Sequence, residues 1–306
     1  MKFSRWWALA LWGAAALVSD AAVAQNFPNR PITVIMPFAG GSASDVVSRV
    51  LFNKMAAILG QPIVVENKPG AGGNLGTALA ANLTLYKELG YDPQKEIVLI
   101  SPFASFTIVV TASKQLGVTT IEGLIDRAKK EPGALNYGSV GIGSSQHLAG
   151  EYFAQVANVK LTHVPYRNIA QFGPDLIAGT VQLGFAWYPN VSGPLGANGA
   201  IALAVAGDAR LPALPNTMTT AQAGLSQYKF DGWFGLGAPA GVPKDILERL
   251  NAALNEALGD PAVRVRFEEI GAVPIGLDLD KARAFMTDEV VKYRDIITRA
   301  GIAKIE

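Results

Sequence analysis

ITVIMPFAGGSASD, residues 32–45, is the stretch from which the fold of this chain can be worked out. Its first five residues are apolar or β-branched and carry no charge, as in a strand that is covered on both faces. The pair Gly40-Gly41 allows a sharp turn, and Ser42 and Ser44 are good N-caps for the helix that the following apolar residues predict. We therefore expect a strand, a glycine turn and the start of a helix.

The turn at residues 38–45 is one of two glycine-serine turns of the same kind. The second, Ser139 to Ser145, follows the predicted strand Leu135 to Gly138, and Ser144 or Ser145 caps the next helix. Each turn presents backbone N–H groups at the positive end of a helix dipole, which is a ready anion site. One such turn alone is more often a plain connection, but the pair favours a binding site for an anion.

The composition limits the class of protein. The 306 residues are enough for two domains, half are hydrophobic and 17% are charged, so a sizeable core is expected. The net charge of +1 argues against nucleic acid or an anionic membrane surface as the main partner. The lack of cysteine excludes disulfides, thiolate metal sites and cysteine nucleophiles, and two histidines argue against a histidine-rich metal site. We expect neither a cofactor nor a metal.

The first 24 residues are typical of an export signal. Lys2 and Arg5 form the positive region, and Trp6 to Val18 is an uncharged apolar run, shorter than the ~20 residues that span a bilayer. Ala22-Val23-Ala24 is a small-x-small cleavage site. We predict a signal peptide at 1–24, cleaved after Ala24; an uncleaved membrane anchor is the alternative.

A third glycine-rich turn, Lys68 to Gly76, follows a second predicted strand, Gln61 to Asn67. It nearly matches the dinucleotide pattern G-x-G-x-x-G, but Leu75 stands where the third glycine belongs, and no acidic residue ends a strand about 20 positions on. A nucleotide site is therefore not expected. Strands and helices keep alternating with short connections, which predicts an α/β fold with mostly parallel sheets.

Six segments together resemble the receptors of the tripartite tricarboxylate transporter family, also called Bug-type receptors. They are RPITVIMPFAGGSASD, VVENKPGAGGNLGT, LNYGSVGIGSSQHLAGE, HVPYRN, WFGLGAPAGVPKDILERLN and the closing helix to Ala300. The resemblance implies a two-lobed periplasmic binding protein that closes on its ligand like a flytrap, with a mostly parallel sheet in each lobe. Lobe 1 would hold residues 25–106 plus 231–306, and lobe 2 residues 107–230.

The same resemblance implies that a ligand carboxylate is held by backbone amides and hydroxyls of the two glycine-serine turns. Two helix N-termini that face one cleft would stabilise a negative group without a buried cation. The candidate ligand-binding residues are Phe38, Ala39, Gly40, Gly41, Ser42, Ser44 and Asp45 in the first turn, Ser139, Gly141, Gly143, Ser144 and Ser145 in the second, and His147, Tyr166, Arg167, Ala186 and Trp187 beside the cleft.

The chain departs from the family where Ala81 runs directly into Asn82. The family has on the order of two dozen further residues there, enough for a strand and its connection. Lobe 1 is therefore expected to lack one strand, which leaves its sheet gapped or rearranged. This departure raises an alternative function, a non-transporting or degenerate receptor with impaired ligand binding.

A second departure concerns the class of ligand. Family receptors for amino acids hold the ammonium group with an aspartate after the strand that matches Val181 to Phe185, where this chain has Ala186. Since an uncompensated ammonium is costly to bury, amino acids are not expected as ligands. Trp187 and Tyr188 could stack on an aromatic acid, although aromatic residues at a strand end more often pack. Arg167 could pair with a second carboxylate or be solvated.

His147 raises an interpretation from another class, an exported serine hydrolase, because it lies beside Ser144-Ser145 and could pair with Asp45 or Asp175. No G-x-S-x-G motif occurs, and a helix N-terminus disfavours the protonated imidazolium that a general base must form. We therefore predict a periplasmic receptor without catalysis. We expect a monomer that captures a small organic or aromatic acid, binds no nucleic acid, and delivers the ligand to membrane transporter subunits.

Overall fold

The computed structural model describes residues 27–68, 92–299 and 301–302. The predicted signal peptide, the third glycine-rich turn from residue 69 onward and the junction of Ala81 with Asn82 lie outside the described residues. Within the described ranges, no helix has both the length and the apolar character needed to cross a bilayer.

The opening strand, turn and helix form where the sequence predicts them. Strand β1 spans Ile32–Met36 and helix α1 spans Ala43–Leu59, and β2 (Ile63–Asn67) pairs with β1 in parallel. The expectation that β1 is covered on both faces was wrong. Its residues alternate between half-buried and exposed, and Ile35 is 41% exposed, because the described residues pack a layer against one face only.

A second sheet contains the two longest strands. After the short helix α2 (Pro93–Glu96), β3 (Ile97–Thr107) pairs antiparallel with β9 (Asp231–Pro239) on one side and with β10 (Val273–Pro274) on the other. The prediction of a mostly parallel sheet was wrong here. β3 carries the chain away from this sheet and β9 brings it back, so the two strands run in opposite directions.

The third sheet has five strands in the order β6-β5-β7-β4-β8. Four of them point the same way, and β4 lies between β7 and β8 and runs antiparallel to both. The prediction of a mostly parallel sheet is therefore confirmed for this sheet. Its strands are β4 (Val109–Ser113), β5 (Asn136–Ser139), β6 (Thr162–Pro165), β7 (Leu183–Ala186) and β8 (Ala200–Val205).

The remaining described helices flank these sheets. They are α3 (Ile121–Lys130), α4 (Ser145–Ala157), α5 (Phe172–Ala178), α6 (Tyr188–Gly196), α7 (Lys244–Gly259), α8 (Pro261–Glu269) and α9 (Leu279–Arg299). The sequence did not predict α6, because Pro194 lies inside it and two glycines lower its intrinsic helix propensity.

The chain changes sheet at Ile108, between β3 and β4. Ile108 N–H donates to the carbonyl of Phe230 at 3.1 Å, and Ala206 N–H donates to the carbonyl of Ile108 at 2.8 Å, so the outgoing and returning segments are hydrogen-bonded where they cross. The lobe limits, 25–106 plus 231–306 and 107–230, stay a proposal that this crossing point supports.

The described strands of proposed lobe 1 form two separate sheets. β1 and β2 make one of them, and β10, β3 and β9 make the other. The two sheets share one core, since α1 packs against both β2 and α7, and α7 packs against β3. Within the described residues no strand joins β1 to β9. The predicted lack of one strand in lobe 1 stays a prediction, because residues 69–91 lie outside the described ranges.

Candidate functional site

The two glycine-serine turns line one cavity, which has a volume of about 30 Å³. Six predicted residues contribute to its walls: Phe38, Ser42, Ser44, Ser144, Ser145 and Trp187. The described wall also contains Ala43, Val140, Gln146, Asn190 and Phe234. No charged side chain is among these described lining residues, so the described wall is apolar apart from hydroxyl, amide, indole N–H and backbone groups.

The first turn is closed by the cap of α1. The Ser42 hydroxyl accepts a hydrogen bond from the Asp45 N–H at 3.3 Å and lies 3.0 Å from the Ser44 hydroxyl. Gly41 has a φ of 80°, a left-handed conformation that favours glycine. The sequence therefore places a capping serine and a glycine where the local backbone requires them.

Asp45 holds this turn in place and does not line the cavity. Its carboxylate accepts hydrogen bonds from Gly41 N–H at 2.9 Å, from Arg49 Nε at 3.0 Å and from Asn67 Nδ2 at 2.9 Å. Asn67 Nδ2 also donates to the carbonyl of Phe38 at 2.9 Å, which ties the end of β2 to the turn. Burial by itself raises the pKa of Asp45, but the bonds from Arg49, Gly41 and Asn67 outweigh it and hold the pKa below its usual value.

The second turn repeats this construction. The Ser144 hydroxyl caps α4 by accepting from His147 N–H at 3.3 Å, and it donates to the carbonyl of Gly141 at 2.7 Å. Gly141 and Gly143 have φ values of 129° and 83°, which side chains rarely permit. The Ser139 hydroxyl accepts from Gly141 N–H at 3.0 Å, so the strand end and the turn are joined.

Each helix leaves two N–H groups at its start without a partner among the described residues. In α1 they belong to Ala43 and Ser44, and in α4 to Ser145 and Gln146. All four residues line the cavity. Four backbone donors at the positive ends of two helix dipoles are complementary to a small anion such as a carboxylate.

His147 supports the second turn and does not line the cavity. Gly143 N–H donates to His147 Nδ1 at 3.2 Å, so this nitrogen carries no proton. Burial lowers the pKa of His147, and Glu151, whose Oε1 is 4.0 Å from Nε2, opposes the shift. A histidine whose ring nitrogen is engaged by the backbone and whose charged form is disfavoured is a poor general base.

The described residues do contain a serine-histidine pair, Ser139 and His163. The Ser139 hydroxyl lies 2.6 Å from His163 Nε2, but Ser139 is fully buried between β5 and β6. Burial, and then His147 with a ring centroid 4.3 Å away, lower the pKa of His163 to about 3. Because a buried serine cannot meet a substrate and a base of this pKa is mismatched to neutral pH, the pair joins two strands and does not fit a hydrolase.

Three further predicted residues lie away from the cavity wall. The Tyr166 hydroxyl donates to Asp175 Oδ2 at 2.7 Å, and burial together with this carboxylate raises its pKa. The Arg167 side chain is exposed and does not line the cavity, and Ala186 is buried at the end of β7. Of the other predicted residues, Ala39, Gly40, Gly41, Gly141 and Gly143 shape the two turns without lining the cavity.

Five lining residues were missed by the sequence analysis. Ala43 and Val140 lie inside the two turns, so taking every residue of each turn would have found them, and Gln146 directly follows the second turn. Asn190 and Phe234 come from α6 and β9, and no local sequence signal connects them to the turns. The Oδ1 atom of Asn190 is buried and has no hydrogen-bond partner among the described residues.

Comparison with known proteins shows the family of this chain. Residues 77–302 match the family described as "Tripartite tricarboxylate transporter family receptor". The chain is 30% identical to Protein BugT of Bordetella pertussis over 313 positions, covering 96% of this chain and 95% of BugT.

Two solved structures from Rhodopseudomonas palustris show the same fold, that of a two-lobed periplasmic binding protein. One is Rpa4515 with adipate, at 30% identity and a TM-score of 0.85, covering 91% of this chain and 100% of that structure. The other is MatC with bound malate, at 26% identity and a TM-score of 0.81, covering 89% of this chain and 100% of that structure. This chain therefore belongs to the tripartite tricarboxylate transporter receptor family.

Proposed function

We propose that this chain captures a small carboxylate between its two glycine-serine turns and delivers it to the membrane subunits of a tripartite tricarboxylate transporter. The observation that carries the proposal is the set of four N–H groups without a partner among the described residues, on Ala43, Ser44, Ser145 and Gln146, since these residues line one cavity at two helix N-termini. The Rhodopseudomonas palustris neighbours carry adipate and malate, both carboxylates, which supports the same chemistry here.

Binding is proposed to involve movement of the lobes. A cavity of about 30 Å³ has room for about two water molecules, so a ligand enters when the lobes part. The donors on α1 and α4 come from the two proposed lobes. A carboxylate that bonds to both therefore favours the closed arrangement over the open one.

The lining residues also limit the class of ligand. The described wall offers no carboxylate to an ammonium group, and Ala186 lies where an aspartate would be needed, so we propose that amino acids are excluded. The wall offers no cation for a second carboxylate either. The side-chain amide of Asn190 can meet a polar ligand group as donor or acceptor, depending on its rotation.

We further propose that the chain acts in the periplasm as a monomer, without catalysis or cofactor, after removal of residues 1–24. The export pattern of Lys2, Arg5 and Trp6 to Val18 supports the location. The engaged nitrogen of His147 and the burial of Ser139 support the lack of hydrolytic chemistry.

The test is a thermal-shift screen of the mature chain against acetate to decanoate, dicarboxylates of matching length, and amino acids. A ligand at 100 times its dissociation constant adds about 2.7 kcal/mol to the free energy of unfolding, which corresponds to a rise of several degrees. We expect such a rise with at least one carboxylate and none with amino acids. If no carboxylate raises the melting temperature, the alternative of a degenerate receptor is correct and the proposal is wrong.

A further inference from the structure

A second and larger cavity lies in lobe 1, between β1 and β9. Its volume is about 390 Å³, within the usual range of ligand sites. Consecutive residues of both strands line it, 32–38 on one side and 234–239 on the other. Among the described strands β1 pairs only with β2, and β9 only with β3, so the facing edges of β1 and β9 border this cavity.

The cavity lies where the chain is expected to lack a strand. The alignment with BugT runs over 313 positions but covers 96% of the 306 residues, about 294, so about 19 of its positions have no counterpart in this chain. The resemblance to the family predicts that these positions fall at Ala81-Asn82, outside the described residues. We connect the cavity with this predicted shortening, since β1 and β9 are the strand edges that face each other across it.

The walls of this cavity are mostly apolar. Charged side chains do not occur among its described lining residues, and the polar ones are Thr33, Ser44 and Ser48. Ser48 is fully buried, and its Oγ has no hydrogen-bond partner in the described part of the chain. Apolar side chains from β1, α1, β3, β9 and α7 make up most of the rest, among them Met36, Phe52, Met55, Phe103, Leu236 and Leu250.

This cavity adjoins the proposed carboxylate site. Phe38, Ser44 and Phe234 line both cavities. The Ser44 N–H is one of the four donors that face the anion site, so a ligand atom next to the carboxylate lies within reach of the apolar walls. The two spaces are therefore neighbours, and a molecule whose polar end lies at the helix N-termini would reach the second space by passing these three side chains.

We infer that this chain takes monocarboxylates with a medium-length aliphatic tail, the carboxylate between α1 and α4 and the tail between β1 and β9. The inference rests on the proposed function. Each buried methylene strengthens binding by about 0.8 kcal/mol, which is about fourfold in affinity. A second carboxylate at the far end of the ligand would meet no cation among the described lining residues and is therefore disfavoured.

The test is calorimetric titration of the mature chain with straight-chain monocarboxylates of two to ten carbons and with dicarboxylates of equal length. We expect affinity to rise about threefold to fourfold per methylene until the cavity is filled, and octanoate to bind at least tenfold more tightly than octanedioate. Binding that does not depend on chain length, or a dicarboxylate that equals its monocarboxylate, overturns the inference and leaves the proposed function intact. If no carboxylate binds, both are overturned.

A matched pair of variants locates the tail. Ser48→Leu fills the cavity, whereas Ser48→Ala removes the same hydroxyl and leaves the space. We expect the Leu variant to bind octanoate at least tenfold more weakly than the Ala variant, and both to bind propionate alike. Equal octanoate affinities would overturn the placement of the tail. If Ser48→Leu does not melt cooperatively, Leu250→Phe, which narrows the same cavity from α7, replaces it in the comparison with Ser48→Ala.

Discussion

Ser144 has two proposed roles, since its hydroxyl caps α4 and the residue lines the proposed carboxylate cavity. Aspartate is an equally good N-cap, so Ser144→Asp should melt near the wild-type temperature. Its carboxylate would lie where the ligand carboxylate binds, and we expect affinity for any carboxylate ligand to fall at least 100-fold. Ser144→Ala, which loses about 1 kcal/mol of stability with the cap, should bind better than Ser144→Asp. If calorimetric titration shows that Ser144→Asp binds a carboxylate more tightly than Ser144→Ala, the proposed place of Ser144 at the ligand carboxylate is wrong.

His163 should make the fold sensitive to acid. Its pKa is lowered to about 3, first by burial and then by His147, from an ordinary value near 6.5. The folded chain binds this proton less readily than the unfolded chain does. The contribution of neutral His163 to the free energy of unfolding is therefore complete above about pH 6.5 and is lost as the pH falls toward 3.

His163→Gln, which keeps a hydrogen-bond partner for Ser139, should weaken this dependence. Urea unfolding at about pH 7 and about pH 5 would measure the change in the free energy of unfolding for the wild type and for the variant. Carboxylates that titrate in both proteins contribute equally to the two changes and cancel when these are compared. We expect the wild type to lose more stability than the variant over this interval. An equal loss in the two proteins would show that His163 does not carry the effect.

Glu289 should show the opposite dependence. Burial raises its pKa, although Lys292 and the Trp233 Nε1–H, which donates to Oε2 at 2.8 Å, oppose the shift. A raised pKa means that the folded chain holds this proton more tightly. The contribution to stability is therefore present below the ordinary carboxyl pKa of 4.5 and is lost as the pH rises through the raised value.

Glu289→Gln keeps an acceptor for Trp233 and removes the buried charge. We therefore expect the stability of this variant relative to the wild type to increase between about pH 4.5 and about pH 7. Melting temperatures of both proteins across this range provide the measurement. If the melting temperature of the wild type instead rises relative to that of the variant as the pH increases, the ion pair of Glu289 with Lys292 outweighs the cost of burying the charge.

Among the elements, the first turn depends on Asp45, which joins it to α1 through Arg49 and to β2 through Asn67. Asp45→Asn should cost about 2 kcal/mol of stability, because bonds to a charged, buried acceptor are lost. Carboxylate binding should weaken as well, since the N–H groups that follow Ser42 lose their fixed position.

The surface pair Arg127–Glu131 is the matched control. It has the same i,i+4 spacing, with atoms 3.1 Å apart and both side chains nearly half exposed. Glu131→Gln should change stability by less than about 0.5 kcal/mol and leave binding unaltered. Chemical denaturation of Asp45→Asn and Glu131→Gln measures the free energy of unfolding of each. A similar small loss of stability in the two variants would show that Asp45 has no special role in the turn.

The elements that sequence predicted well are those set by local chemistry. Ser42 and Ser144 cap their helices, and Gly41 and Gly143 take the left-handed conformation that the turns require. These features depend on a few neighbouring residues. The strand starting at Ile32 and the helix after each turn follow from the same local pattern.

What sequence missed depends on contacts between distant elements. Asn190 and Phe234 reach the cavity only because α6 and β9 are folded next to the turns. The antiparallel pairing of β3 with β9, and the exposed face of β1 at Ile35, are set by the order in which strands join a sheet. Tertiary packing, and not propensity, decides such features.

At the scale of the whole molecule, the proposed carboxylate site lies between two groups of strands, and the cavity between β1 and β9 divides the described strands of proposed lobe 1. The first half of the site does not need a strand in that gap, because Asp45 and Asn67 hold the turn from α1 and β2. A chain that has kept this network beside an altered sheet fits a receptor with a changed ligand better than a decayed one.

The central claim is that a ligand carboxylate accepts hydrogen bonds from the starts of α1 and α4 together. Amide NMR of the ¹⁵N-labelled mature chain, titrated with the carboxylate that binds most tightly, tests it most directly. We predict that the N–H signals of Ala43, Ser44, Ser145 and Gln146 move to lower field together and saturate with one dissociation constant. A carboxylate that binds while these four signals stay in place would contradict the claim.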